Sequence, residues 1–170
     1  MEDDLIAKWF DTYSDDVYKF LVYYMSTPDV EDIVQDVFIK AIDRYDSFRG
    51  ESNPKTWLIS IARNLAIDQA RKKKTRDWRK LIDIYDYQTN TSPEEQQLTL
   101  ESKLELHRAI TELKQTYRDV VVLRGIEELS VAETADILKW SETKVRVTYH
   151  RALKDLKTKV EEGRHAHTRR

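Results

Sequence analysis

Residues 130–160 constrain the fold more than any other part of the chain, because they carry the start signals of two successive helices. Ser130 and Glu133 have the spacing of a capping box, in which two side chains satisfy open amides at a helix start. The first helix should end near Leu138, and Ser141 is a suitable N-cap for a second helix that follows at once. We therefore predict a short helix, a tight turn and a longer helix, which is the arrangement of a helix-turn-helix.

The second helix of this motif is predicted to have two distinct faces. Apolar residues recur along it at spacings of three and four, which is typical of a stripe packed against a core. The opposite face is basic and rich in hydrogen-bonding groups, as in helices that enter the major groove of DNA. The predicted buried stripe is Val145, Tyr149, Ala152, Leu153, Leu156 and Val160, and the exposed face is Thr143, Arg146, Val147, His150, Arg151 and Lys154.

The composition favours an all-helical protein with one domain or two small ones. The chain has 170 residues, only three glycines and three prolines, and many strong helix formers. It has no cysteine, which excludes disulfides and thiolate zinc sites and fits a reducing cytoplasm. It also has no long apolar run and an acidic beginning, so we expect neither a membrane span nor a signal peptide.

Charge is strongly segregated along the chain, although the formal net charge is only −2. Residues 1–48 carry a net −8 and residues 81–106 a net −5, whereas residues 49–80 carry +7 and residues 107–170 carry +4. A single charged block is most simply a solvated face, but both basic blocks coincide with helix patterns. This coincidence indicates two separate contacts with a polyanion such as nucleic acid.

Three further helices are predicted in the first half of the chain. An apolar stripe over residues 5–24 indicates an amphipathic helix with a break near Ser14. Asp29 is expected to cap the next helix, and Asn53 with Pro54 has the pattern of a third helix start. The outer face of the second helix is acidic, and its composition alone favours a solvated surface over a docking site for a basic partner.

The third helix is predicted to hold a row of cations in solvent, where they can follow the phosphates of a nucleic acid. Asn64 carries both a donor and an acceptor, so it can read the edge of a base. The aromatic residues nearby have two readings, which are stacking on unpaired bases and the commoner packing into the core. The exposed polar set is Lys55, Arg63, Asn64, Arg71, Lys72, Lys73 and Lys74, and the aromatic residues are Tyr45, Phe48 and Trp57.

Two helical domains are predicted, at residues 1–80 and 93–165, because residues 81–92 lack a helical period and contain many turn formers. The linker is more apolar than a simple tether, which suggests that it docks on a partner. The predicted fold is thus all-α, with two small helical domains joined by a linker and a helix-turn-helix in the second.

Thr116 is expected to cap a short buried helix in the second domain. The valine run at residues 120–122 would alone favour a strand, but no partner strand is evident and we predict a helix. The tail from Gly163 onward is expected to fray. The chain shows no glycine-rich phosphate loop, no cysteine nucleophile and no serine elbow, so we expect neither an enzyme nor a cofactor.

Three segments, taken in order, resemble the sigma factors of bacterial RNA polymerase. Residues 29–48 are similar to the segment that grips core polymerase, residues 56–74 to the promoter-melting segment, and residues 110–157 to the C-terminal promoter-binding domain. Their order and spacing resemble the small extracytoplasmic-function (ECF) group over nearly the whole chain. The resemblance implies a cytoplasmic, non-enzymatic factor that directs core polymerase to promoters and helps to open them.

The resemblance also implies roles for residues at matching positions. The acidic helix would bind core polymerase, at the β′ clamp helices and the β subunit, which reverses the preference for a solvated face. The loop of residues 48–55 would shape a pocket for a flipped base. Core polymerase would contact Asp32, Gln35, Asp36 and Phe38; the minus-ten element would contact Lys55, Arg63, Asn64, Arg71 and Lys72. The minus-thirty-five element would contact Arg124, Thr143, Lys144, Arg146, Val147, His150 and Arg151.

The chain departs from the family pattern in the helix-turn-helix. Lys139 occupies a turn position where glycine is usual, so the backbone there must tolerate a left-handed conformation. Val147 and Thr148 replace the small polar and basic residues that are common at their positions. The family also implies an anti-sigma factor as partner, frequently a membrane-bound one. The alternative is a stand-alone helix-turn-helix regulator, which would usually dimerise on a palindromic site.

Overall fold

Helices form the secondary structure of residues 1–70 and 93–169, the part of the chain that this computed structural model describes. Within these ranges no strand is present, as the all-α prediction requires. The predicted linker at residues 81–92 and the basic cluster at residues 71–74 lie outside the described residues. The α-helices are α1 (Glu2–Met25), α2 (Glu31–Asp43), α3 (Pro54–Ala70), α4 (Pro93–Glu112), α5 (Gln115–Val120), α6 (Val131–Leu138) and α7 (Glu142–Thr168).

The N-terminal unit consists of α1, α2 and α3, which pack on one another around an apolar core. The predicted break near Ser14 is wrong, because α1 is continuous and its apolar stripe runs unbroken past that residue. Asp29 is not the cap of α2 either, since Val30 holds that position and makes no side-chain cap. Asn53 does cap α3, where its Oδ1 accepts a hydrogen bond from the Lys55 amide at 2.9 Å.

The helix-turn-helix has the local structure that its sequence predicts. The Glu133 amide donates to Ser130 Oγ at 3.0 Å and the Ser130 amide donates to Glu133 Oε2 at 2.7 Å, which completes the capping box. Helix α6 ends at Leu138, and Lys139 has the left-handed backbone expected in the turn, with φ of 58°. Ser141 then caps α7 by accepting a hydrogen bond from the Lys144 amide at 3.1 Å.

The buried stripe of α7 is narrower than predicted. Val145 and Ala152 are fully buried, whereas Tyr149, Leu156 and Val160 are only partly covered. Leu153 is 41% exposed, so its assignment to the core is wrong. The reason is geometric, because Leu153 follows Ala152 directly and lies about 100° further round the helix, beyond the edge of the packed face.

Two further predictions in the C-terminal unit need correction. The N-cap of α5 is Lys114, not Thr116. The valine run itself is helical as predicted, and a π-helical stretch at Val121–Ile126 continues α5. The tail does not fray, because α7 continues to Thr168. Arg164 Nε donates to Glu105 Oε2 on α4 at 3.0 Å, which ties the last turns of α7 to its neighbour.

The N-terminal and C-terminal units pack against each other along a seam. Helix α1 contacts α4 and the π-helical stretch, and α3 contacts α6. The seam determines which candidate residues are accessible. The residue limits of the two domains stay a prediction.

Candidate nucleic-acid interface

The first turns of α7 present an exposed face of donors, acceptors and cations. Lys144 Nζ lies 4.2 Å from the centroid of the Trp140 ring, a cation–π contact that orients the lysine beside the turn. Arg146 Nη2 is 3.8 Å from Glu142 Oε2, but both side chains are more than half exposed and such a pair is weak. The exposed residues of the predicted minus-thirty-five set are Thr143, Lys144, Arg146, Val147, His150 and Arg151.

Arg124 differs from the rest of that set, because its guanidinium is engaged within the C-terminal unit. Its Nη1 donates to the Leu129 carbonyl oxygen, and its guanidinium carbon lies 5.4 Å from the centroid of the Tyr149 ring. The side chain is therefore partly buried and supports the loop that leads into α6. Only the exposed part of the Arg124 guanidinium would be available for a phosphate contact.

The outer face of α2 combines carboxylates with exposed apolar side chains. Asp32, Gln35 and Asp36 are exposed as predicted, and Ile39 and Ile42 beside them are 56% and 44% exposed. Exposed isoleucines offer apolar area that a protein partner can bury, and the carboxylates beside them favour a partner of opposite charge. Neither isoleucine is among the residues that the sequence predicted to contact a partner.

Phe38 does not belong to this exposed surface. It is only 5% exposed, and its ring packs edge-on against Phe10 with centroids 4.9 Å apart. It thus supports α2 from below, and the predicted direct contact of Phe38 with a partner is wrong for this arrangement. Beside Phe10, a shallow groove of about 270 Å³ separates α1 from α2; it is lined by Phe10, Ser14, Asp15, Tyr18, Glu31, Val34 and Gln35.

Helix α3 carries the described part of the predicted minus-ten set. Asn64 is exposed, but the expectation that Lys55 and Arg63 stay in solvent is wrong. Their side chains retain only 23% and 18% exposure, because carboxylates of the C-terminal unit cover them. Arg71 and Lys72 lie outside the described residues.

Asp119 on α5 forms a bidentate ion pair with Arg63. Arg63 Nε donates to Asp119 Oδ1 and Nη2 donates to Oδ2, each at 3.0 Å, and the Asp119 side chain is only 2% exposed. The Tyr24 hydroxyl adds a hydrogen bond to Oδ1 at 2.7 Å. Burial followed by the charge of Asp119 raises the pKa of Tyr24 well above its usual value. Burial alone would lower the pKa of Arg63, but the hydrogen bonds and charge of Asp119 raise it overall.

Glu127 binds Lys55 in a similar way at the other end of the seam. Lys55 Nζ is 3.3 Å from Glu127 Oε2, donates to the Glu127 carbonyl oxygen at 3.4 Å and is 3.6 Å from Asp16 Oδ1. Glu127 is only 4% exposed, and this burial raises the pKa of its carboxyl, although the nearby lysine opposes the shift. Lys55 thus stabilises the buried Glu127 carboxylate, which has little contact with solvent.

The aromatic residues near the start of α3 form a cluster on Trp9. The Trp9 ring lies 5.1 Å from Phe48, 6.0 Å from Trp57 and 6.1 Å from Tyr45, centroid to centroid. All three partners are partly buried, so they line the loop of residues 48–55 and are not free-standing stacking platforms.

Four residues of this region were not predicted from the sequence: Tyr24, His107, Asp119 and Glu127. His107 is fully buried, and its ring stacks on Tyr23 of α1 with centroids 3.9 Å apart. One sequence signal does point to Asp119, because it directly precedes a valine run, and an acid in a buried helix needs a partner. The identity of that partner is a matter of tertiary packing and is not encoded locally.

The fold and these surfaces define a helical DNA-binding protein with a C-terminal helix-turn-helix and, on α2, an exposed acidic face. The family model described as Sigma-70 region 2 matches residues 9–76, and that of Sigma-70, region 4 matches residues 103–156. The chain is similar to the ECF RNA polymerase sigma factor SigX of Bacillus subtilis, at 38% identity over 159 residues, which cover 89% of this chain and 81% of the relative. It is also 33% identical over 171 residues to the ECF RNA polymerase sigma factor SigW of Bacillus subtilis, with 94% and 90% of the two chains covered.

Solved structures show the same fold. The chain is similar to the sigma factor RpoE in complex with the anti-sigma factor NepR from Bartonella quintana, with a TM-score of 0.71 at 22% identity, covering 95% of this chain and 98% of that one. It is also similar to CnrH in complex with the cytosolic domain of CnrY, with a TM-score of 0.70 at 20% identity, covering 94% and 90%.

This chain belongs to the ECF family of RNA polymerase sigma factors. It is therefore an alternative sigma factor, a transcription initiation factor, and the stand-alone regulator is not favoured. No helix in residues 1–70 or 93–169 is long and apolar enough to cross a membrane.

Proposed function

We propose that this sigma factor divides its work among three helix faces. The acidic face of α2 binds core RNA polymerase, α3 captures the opened minus-ten strand, and α7 reads the minus-thirty-five duplex. The observation that carries the proposal is that α2 and α7 each present an exposed face with the chemistry its task needs. One face is acidic and apolar, and the other is basic and rich in hydrogen-bonding groups.

Core binding is assigned to the surface made by Asp32, Gln35 and Asp36 with Ile39 and Ile42. Its carboxylates suit basic side chains of the β′ clamp helices, and its isoleucines bury apolar area on docking, with further contact to the β subunit. Phe38 acts indirectly, by packing behind the helix.

Promoter contact is assigned to two separate helices. In α7, Lys144, Arg146 and Arg151 would bind phosphates or guanine edges, whereas Val147 offers an apolar contact to a thymine methyl group. In α3, Asn64 would contact a base of the opened strand and Arg63 a phosphate. The same role is proposed for Arg71 and Lys72, and a phosphate contact for Arg124.

The remaining attributes follow from this role. The polymerase supplies the chemistry, so the factor itself is not an enzyme and needs no cofactor. It acts in the cytoplasm, where the chromosome and polymerase are. An anti-sigma factor is a proposed partner, because one structural neighbour, the sigma factor RpoE, was solved in complex with the anti-sigma factor NepR.

Core-dependent run-off transcription, combined with a core-binding assay, tests this proposal. We expect the double substitution Asp32→Lys and Asp36→Lys to weaken binding to core polymerase and to abolish transcription, because it reverses the charge of the docking face. A matched control replaces the exposed Glu161 and Glu162 with lysine, which makes the same change of net charge far from α2. Equal core affinity of the two variants would refute the docking assignment.

A further inference from the structure

We propose that Trp140 is a positioning residue for DNA binding, because its ring holds the Lys144 ammonium at the start of α7, where it binds a phosphate of the minus-thirty-five duplex. This inference rests on the proposed function of α7 and deepens it. The Lys144 Nζ atom lies 4.2 Å from the centroid of the Trp140 ring. Of the two targets that suit a lysine, a phosphate and a guanine edge, the inference assigns Lys144 to the phosphate.

The place of the Trp140 ring is fixed by the backbone of the turn and by packing. Lys139 has a left-handed backbone, and the Trp140 amide donates to the Ala135 carbonyl oxygen at 3.0 Å. The Trp140 side chain is partly buried against the hydrophobic core, and Ser141 caps the helix that follows it. The ring is therefore a firm platform, whereas Lys144 reaches it on a flexible four-carbon stem.

A lysine in the first turn of α7 needs a support of this kind. The N-terminus of a helix carries a partial positive charge, which disfavours a cation beside it. The face of an indole ring attracts an ammonium, and the N–H groups that point away from the ring can still donate to a phosphate. Within residues 1–70 and 93–169 Lys144 has no ion pair, whereas Arg146 pairs with Glu142. Trp140 thus orders Lys144 without a competing anion.

The position of Lys144 around α7 favours a phosphate over a base. Successive residues of a helix lie about 100° apart, so Lys144 and Arg151, seven residues apart, share one edge of the exposed face. Val147 lies between the two edges of that face. In a helix that lies in the major groove, the centre of the face meets base edges and its borders meet the phosphates. Both cations are exposed and would follow one DNA strand.

The test measures binding of the full chain to a short labelled duplex of random sequence, by fluorescence anisotropy at several salt concentrations. Phosphate contacts do not depend on sequence, so this probe reports them directly. Lys144→Ala should lower the slope of log affinity against log salt by about one. Trp140→Leu should weaken binding about fivefold, the cost of ordering one long side chain. Trp140→Phe keeps a ring and should stay within about twofold of wild type.

A double-mutant cycle separates positioning from a purely structural role. In the Lys144→Ala background, Trp140→Leu should cause no further loss of affinity, because its effect acts through the lysine. An equal loss in both backgrounds would mean that Trp140 only supports the fold, and would overturn the inference. Tyr117→Leu is the matched control, because this ring also lies under a lysine, Lys114 at 4.1 Å, but outside the helix-turn-helix. A loss of the same size for this control would overturn the inference too.

A second measurement does not depend on the folding of any variant. The methylene protons beside Lys144 Nζ lie over the indole ring, so in proton NMR they should resonate upfield of those of other lysines, in the free chain and with duplex bound. Absence of this shift would contradict the proposed contact.

The proposed function and this inference fail in different ways. If neither Lys144→Ala nor Arg146→Ala changes duplex binding, α7 does not bind the duplex, and both are refuted. If Arg146→Ala weakens binding but Trp140→Leu does not, the proposed function stands and the inference alone is wrong. A loss for Lys144→Ala with the wild-type salt slope would overturn its assignment to a phosphate.

Discussion

Burial of His107 should make the free energy of unfolding of this sigma factor fall as the pH is lowered. The ring is fully buried against Tyr23, and burial, followed by the charge of Lys103, lowers the pKa of His107 from 6.5 to about 4. As pH falls through this window, the unfolded chain takes up a proton that the folded chain does not. The stability associated with neutral His107 is therefore fully present above about pH 6.5 and is lost as the pH falls toward 4.

The magnitude follows from the shift. One pKa unit corresponds to about 1.4 kcal/mol, so the drop of His107 from 6.5 to about 4 amounts to about 3 kcal/mol. This is a large fraction of the total stability expected for a small protein. Glu127 acts in the opposite direction, because its raised pKa means that the folded state gains stability as pH falls toward its ordinary value. A comparison of variants is therefore needed to separate the two.

Urea denaturation of wild type and His107→Phe, followed by tryptophan fluorescence over a series of pH values, provides that comparison. Phenylalanine can stack on Tyr23 but does not titrate, so the contribution of Glu127 is common to both proteins. The free energy of unfolding of wild type, relative to the variant, should fall by about 3 kcal/mol across the window. His165→Gln, at an exposed site on α7, should keep the wild-type slope. If His107→Phe keeps the wild-type slope as well, the buried neutral histidine is not the cause.

Three shorter predictions concern the promoter-binding helices and their turn. Arg146→Ala should weaken binding to a minus-thirty-five duplex and lower the slope of log affinity against log salt by about one, in fluorescence titrations at several salt concentrations. Asn64→Ala should impair promoter opening more than closed-complex formation, as permanganate footprinting of melted thymines and gel-shift assays can distinguish; equal losses would contradict a role in the opened strand. Lys139→Gly should stabilise the chain by about 1 kcal/mol in urea denaturation, because φ of 58° strains a residue with a Cβ, whereas Lys139→Ala should not.

Local signals in the sequence predicted local structure well. The capping box of Ser130 and Glu133, the cap at Ser141 and the cap at Asn53 all depend on atoms within a few residues of one another, and all are present. The left-handed turn at Lys139 was also predictable, since few backbones connect two helices so tightly. Signals of the same kind failed at Asp29, where Val30 has taken the cap position.

The accessibility of the site could not be predicted in this way. Lys55 and Arg63 lie on the polar side of α3, and helical periodicity correctly separates that side from the apolar core. Their exposure, however, is decided by Asp119 and Glu127, which lie more than fifty residues away in sequence and belong to the other unit. The charge blocks indicated that the chain binds a polyanion. They could not show that the C-terminal block, although basic overall, contains two buried acids that form ion pairs with cations of α3.

The two helices proposed to bind the promoter differ in how accessible their arginines are. In α7, Arg146 is exposed and paired only weakly with Glu142, so duplex DNA meets no strong competitor there. In α3, Arg63 is only partly exposed and forms a bidentate ion pair with Asp119, which must break before a phosphate can take the place of Asp119. The partner of each arginine, and not only its place on a helix face, therefore determines how readily it can bind a phosphate.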